Sequence, residues 1–195
     1  TVVWVADGHG KSVLEQFYRT LSDEQLASIE VVTGDGARWI TDCVNEFTPD
    51  CERCVDPFHV VEWTMDALDQ VRKDRWRAAY AKASELAKEA PKKRGRARSD
   101  DRAAQKALAA RKEASEIKKS AYALGKAPEN LTDNQRIRLE MIQARDPQLY
   151  RAYRLKESLR TLLKSSDVDQ AEADLKHWLW WASHSRIPAF HDLYE

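Results

Sequence analysis

The spacing of apolar positions changes character along the chain. Val2 to Ala6 is a short apolar run that ends at the turn Asp7-Gly8-His9-Gly10 and reads as a strand opening at Thr1. From Lys11 to Leu21, the residues Val13, Leu14, Phe17, Tyr18 and Leu21 recur at helical spacing. A second run rich in β-branched residues, Ile29 to Thr33, stops at Gly34-Asp35-Gly36. Ala37, Ile40, Val44 and Phe47 then trace an amphipathic helix closed by Pro49, and a third run, Cys51 to Val55, ends at Asp56-Pro57. The order strand, helix, strand, helix, strand, helix predicts parallel strands joined by crossover helices. In such sheets functional side chains gather at the carboxyl ends of the strands. Asp7, Asp35 and Asp56 all fall there; Asp7 reads as a turn residue before Gly8, and the other two are the site candidates.

After Asp56 the pattern is almost wholly helical. A long helix starts near Phe58 and runs to Ala90, where Pro91 interrupts it. Residues 91–100 form a basic loop, and residues 101–124 an alanine-rich, charged helix that breaks between Gly125 and Leu131. Thr132 and Gln135 have capping-box spacing for a helix to Arg145. Asp146-Pro147 supplies an N-cap and a first-position proline for a helix to Lys164, and Ser166 is placed to cap a last helix bearing Trp178, Trp180 and Trp181. A chain that opens on a strand is expected to be a piece of something longer.

Composition sharpens this picture in one respect. The 195 residues carry no net charge, yet residues 1–70 hold 4 Lys/Arg against 14 Asp/Glu (−10) and the remainder 28 against 18 (+10). Such polarity suggests an acidic, metal-using part and a basic part able to meet phosphate, or simply two differently solvated surfaces. No apolar run approaches the roughly 20 residues of a membrane helix, and no signal peptide is evident. Cys51-Glu-Arg-Cys54 has metal-ligand spacing, with Cys43 and His59 as recruits, but no second cysteine pair follows, which favours buried thiols over zinc.

The segment Val32-Thr-Gly-Asp35-Gly-Ala-Arg-Trp-Ile40, followed by Cys54-Val-Asp56-Pro-Phe-His59-Val-Val61, resembles the core of bacterial insertion-sequence transposases of the ISL-three group. Ala67-Leu-Asp-Gln-Val-Arg72, the upstream Val2-Val-Trp-Val-Ala-Asp-Gly8 and the later Ser185-Arg-Ile-Pro-Ala-Phe190 resemble that group in order and spacing; residues 80–165 add little. The resemblance implies an RNase H-like sheet over residues 1–75, a helical insertion over 76–185 with its basic loop at 91–100, and a return toward the catalytic core from 186. It implies an Asp, Asp, Glu triad around magnesium, with manganese as the alternative. Asp35 matches the second carboxylate. The first belongs upstream of Thr1 and the Glu on a helix after the insertion, Glu195 falling too early, so the piece is expected to be inactive alone.

By the same resemblance Asp56 and His59 touch substrate phosphate or metal-bound water; by residue chemistry alone Asp56 caps the next helix with His59 beneath it. Lys92, Lys93, Arg94, Arg96 and Arg98 are candidates for DNA phosphate contacts, or else a solvated loop tip. The tryptophan cluster reads as core, subunit interface or a stacking platform for bases. His177, His184 and His191 recur at an interval that skips more than one helical turn, which disfavours a metal site. The implied partners are transposon-end and target DNA and further copies of the full-length protein, with no membrane, in a bacterial cytoplasm at the nucleoid. The competing expectations are a DNA-binding or assembly part without activity, from a truncated transposase, and an RNase H-like nuclease that only hydrolyses.

Overall fold

A computed structural model describes residues 1–90 and 101–193. The chain forms two compact units, Thr1–Glu62 and Trp63–Glu195. Among the described residues no helix is long and apolar enough to cross a membrane.

In the first unit, α1 (Lys11–Tyr18) follows a turn in which Gly8 and Gly10 take φ of 95° and 110°, values that only glycine adopts without strain. A short α2 (Asp23–Ala27) comes next, started by a reciprocal capping box between Ser22 and Gln25 that the periodicity did not reveal. Then β1 (Val31–Gly34), α3 (Arg38–Phe47) and β2 (Glu52–Val55) make the strand–helix–strand unit expected from the sequence. The strands pair in parallel, with Val31 opposite Glu52 and Gly34 opposite Val55. Helices α1 and α3 pack together through Tyr18, Cys43 and Val44, which are buried, and the Tyr18 ring stacks on Phe47 at 5.1 Å between centroids.

The apolar run at residues 2–6, expected as a strand, forms none. A strand exists only where its amides find a partner, and in the sheet of the described residues β1 and β2 pair with each other and not with this run. Trp4 alone is anchored, 5.5 Å from the Phe17 ring, while Val2, Val3 and Val5 are about 80% exposed.

Helix α4 (Pro57–Glu89) begins in the first unit and continues into the second. There follow α5 (Arg102–Lys118), α6 (Ala121–Gly125), a 3₁₀ turn at Pro128–Asn130, α7 (Asp133–Arg145), α8 (Pro147–Leu162), α9 (Val168–Ser183) and α10 (Pro188–His191). Helix α8 is the centre of this unit. Leu149, Ala152, Tyr153, Leu155, Lys156, Leu159 and Leu162 are buried along it at three- and four-residue spacing, facing α7 on one side and α9 on the other. The caps are local: the Thr132–Gln135 box opens α7, and Asp146 Oδ1 accepts from the Leu149 amide ahead of Pro147. One cap lies a residue later than its expected place. Asp167, not Ser166, starts α9 by accepting from the Gln170 amide, because a carboxylate at that position also favours the helix dipole. Arg138–Glu116 and Arg160–Glu129 ion pairs join neighbouring segments.

Candidate active site at the strand ends

Parallel pairing brings the ends of β1 and β2 level. Gly34 and Val55 are partners, and the Asp56 amide donates to the Gly34 carbonyl at 2.8 Å, so Asp35 and Asp56 leave adjacent strands side by side. Asp35 is exposed. Its Oδ1 accepts from the Ala37 amide at 2.8 Å, a side-chain turn that leads into α3. Among the described residues no hydrogen bond occupies its Oδ2. Asp56 Oδ1 accepts from the Phe58 amide at 2.9 Å while its carbonyl accepts from the His59 amide at 3.0 Å. The aspartate is thus the N-cap of α4, with Pro57 at the first position, as its residue chemistry suggested. His59 lies one turn inside the helix with Nδ1 3.4 Å from Glu62 Oε2.

Arg53, which sequence reasoning passed over, organises this corner. From β2 its Nη1 donates to the Val32 carbonyl at 3.4 Å and to the Cys54 carbonyl, and its Nη2 donates to the Asp35 carbonyl. Its Nε is buried without a partner among the described residues. One guanidinium therefore ties both strand ends and fixes the backbone from which the Asp35 carboxylate projects. The only advance signal was an arginine within a run that otherwise reads as a strand.

Cys43 is buried with Sγ directed at the Lys11 carbonyl at 3.6 Å, and Cys51 Sγ lies 3.3 Å from Thr48 Oγ1. Burial pushes the Cys43 thiol up, opposite to what a thiolate ligand needs. Among the described residues no three His, Cys, Asp or Glu side chains converge as a metal-binding group. Asp35 fits one ligand of a hard cation, an exposed carboxylate with an oxygen to spare, and does not make a site alone.

The other candidates separate. Lys92, Lys93, Arg94, Arg96 and Arg98 lie outside the described residues. Trp178 is core, 4% exposed, its Nε1 donating to the Leu155 carbonyl at 2.9 Å. Trp181 is half-buried beneath the Arg154 guanidinium, 5.6 Å from the ring centroid. Trp180 is 58% exposed.

Acidic residues thus stand at the carboxyl ends of neighbouring parallel strands in a mostly helical α/β protein, the place where open α/β sheets in general carry their ligands. The family model described as transposase, for the ISL3 group, matches residues 1–195. The chain is 43% identical over 192 residues to the transposase for insertion sequence element IS1557 from Mycobacterium tuberculosis, in both strain CDC 1551 / Oshkosh and strain H37Rv. That match covers 98% of this chain and 41% of each relative. No solved structure matches significantly. The chain belongs to the ISL-three group of insertion-sequence transposases.

Proposed function

We propose that this chain supplies the central part of a DDE-type transposase core, an RNase H-like sheet with a helical insertion, in which Asp35 is the second of three carboxylates around magnesium or manganese. The observation that carries the reading is the exposed Asp35 carboxylate at the end of β1, level with Asp56 and braced by Arg53. When bound, paired metal ions stabilise the attacking and leaving oxygens of an in-line displacement at phosphorus. The chain's own residues supply position. The bond from the Ala37 amide holds one Asp35 oxygen and leaves the other for the cation. Arg53 keeps the turn from rotating, and Asp56 fixes the start of α4 so that His59 is presented near the same strand ends. The reaction is cleavage of element-end DNA and its joining to target DNA by an oligomer of the full-length protein. The chain spans about two fifths of the relatives it matches, so the remaining carboxylates are expected on the rest of such a protein.

A second reading is a DNA-binding or assembly part without activity of its own, which requires that the full-length protein lack the remaining carboxylates. The test is Asp35→Asn in the full-length protein, since asparagine retains an oxygen for the Ala37 amide while losing the charge. Magnesium-dependent cleavage and joining should fall by about a hundredfold or more, the scale seen when a group holding transition-state charge is lost. Unchanged cleavage overturns the assignment, and cleavage without joined products assigns a hydrolytic nuclease instead.

A further inference from the structure

The helical unit carries a surface that the strand-end site leaves unused. On α9, His177, Trp180 and His184 lie along one face, and their rings are stacked. His177 and Trp180 are 6.2 Å apart at 26°, and Trp180 and His184 are 4.8 Å apart at 20°. All three are exposed, Trp180 by 58%. The ladder is nevertheless ordered, because His184 Nδ1 lies 2.8 Å from the Trp180 carbonyl and 3.0 Å from Ser183 Oγ. Trp178 on the same helix shows the usual fate of an indole, burial with its N–H bonded; Trp180 departs from it.

Just beyond the helix, Arg186 has φ of 60°, the one positive value at a non-glycine position among the described residues. Glycine is the residue that adopts this conformation without strain. The arginine is held there from both sides. Ser185 is buried, its Oγ donating to the Ala182 carbonyl and accepting from the Ile187 amide, and its carbonyl accepts from Arg151 Nη1 at 2.8 Å. Ile187 is buried as well, while the Arg186 side chain is exposed. It lines a recess of about 340 Å³ with Ser183, Pro188 and His191, where Asp192 is the one carboxylate. A strained backbone that presents an exposed cation points to use of that cation.

We propose that this end of α9 binds unpaired DNA, with bases stacking on the His177–Trp180–His184 ladder and the Arg186 guanidinium taking a phosphate. The inference deepens the transposase reading and rests on it. An exposed aromatic ladder with a single arginine just past its end suits a single strand, whose bases stack without sequence preference along a charged backbone. An interface between copies is also rich in tryptophan and arginine, so self-association is the outcome that the experiment separates from DNA binding.

The experiment measures binding of the 195-residue chain to a fluorescein-labelled single-stranded oligothymidine and to a duplex of equal length, by anisotropy at several salt concentrations. Trp180→Ala should weaken single-strand binding roughly 5- to 100-fold, the range for loss of one stacked base, and leave duplex affinity within about twofold. Arg186→Gly relieves the strained φ, so its thermal midpoint should hold or rise while single-strand affinity falls and the salt slope drops by about one. Wild-type single-strand affinity in both variants overturns the proposal. So does a Trp180→Ala chain that loses self-association with DNA binding untouched, which assigns the face to a second copy. Cleavage by Asp35→Asn is scored separately in the full-length protein, so either idea can fail alone.

Discussion

Replacing Arg53 by methionine removes the guanidinium while keeping an apolar stem across the strand ends. Two of its bonds, to the Cys54 and Asp35 carbonyls, are close; the third, to the Val32 carbonyl, is long at 3.4 Å. A hydrogen bond to a charged donor contributes about 1.5 kcal/mol or more, so the two close bonds amount to about 3 kcal/mol. Against this stands the buried Nε with no partner among the described residues, a desolvation cost of about 1 kcal/mol that methionine relieves. The net loss is therefore about 2 kcal/mol, close to a 30-fold change in a local opening equilibrium. Because the chain has two compact units, a single unfolding midpoint would blur the effect. Native-state amide hydrogen exchange resolves it by position. Arg53→Met should accelerate exchange about 30-fold at the Glu52 and Asp56 amides, which bond to the Glu30 and Gly34 carbonyls. Amides of α8 should be unchanged. Arg53→Lys, with a point charge in place of a fork, should recover less than half of the loss. In the full-length protein the methionine variant should also cleave DNA more slowly, since the Asp35 turn is loosened. Exchange within twofold of wild type at both amides, or equal acceleration throughout the helical unit, refutes the claim that Arg53 holds the strand ends.

Three further outcomes test the helical unit. Asp146→Ala removes both the α8 cap and the Arg75 pair at 2.8 Å from a 5%-exposed carboxylate; it should cost about 3 kcal/mol, read as a shift in urea midpoint without a change of slope. Trp178→Phe should cost about 1 kcal/mol by removing the indole N–H bond to the Leu155 carbonyl, which keeps its bond within α8, whereas Trp180→Phe should change stability by less than about 0.5 kcal/mol. Burial holds the Lys156 ammonium below the ordinary 10.5, with the Glu157 carboxylate partly opposing the shift. The unfolded chain therefore binds the extra proton in the window below 10.5, and stability conferred by neutral Lys156 rises with pH through that window. Tyr153, pushed up to about 12 by burial, does not ionise there. Urea unfolding of wild type and Lys156→Met should converge or cross as pH rises from 8 to about 10.5; a constant difference contradicts the sign. Glu157 retains Arg160 at 2.8 Å in that variant, so no carboxylate is stranded.

What was legible in the sequence is what neighbouring residues decide among themselves. Asp146-Pro147 and the Thr132–Gln135 box act within four residues, and both helices begin where those signals place them. The Asp35 and Asp56 positions were legible because a β-branched run ending in a turn marks a strand's carboxyl end. The run at Val2–Ala6 carries the same local signal yet makes no strand, since pairing depends on a distant partner. Arg53 was opaque for a related reason: its acceptors at Val32 and Asp35 come within reach only through the cross-strand register. Arg186 was opaque because no glycine marks its left-handed φ, which follows from Ser185 and Ile187 being anchored on either side. The tryptophan cluster could not be divided into core and surface members until α8 supplied the Leu155 carbonyl for Trp178.

The central claim is that Asp35 ligates a divalent ion at the strand ends, and ferrous iron substituted for magnesium in the full-length protein tests it most directly. Iron takes the same hard oxygen ligands, and with ascorbate and peroxide it cuts polypeptide beside the place where it is bound. Cuts are expected next to Asp35 and Asp56, suppressed by excess magnesium and lost in Asp35→Asn. Cuts confined to other segments, or the same cuts in Asp35→Asn, would contradict it.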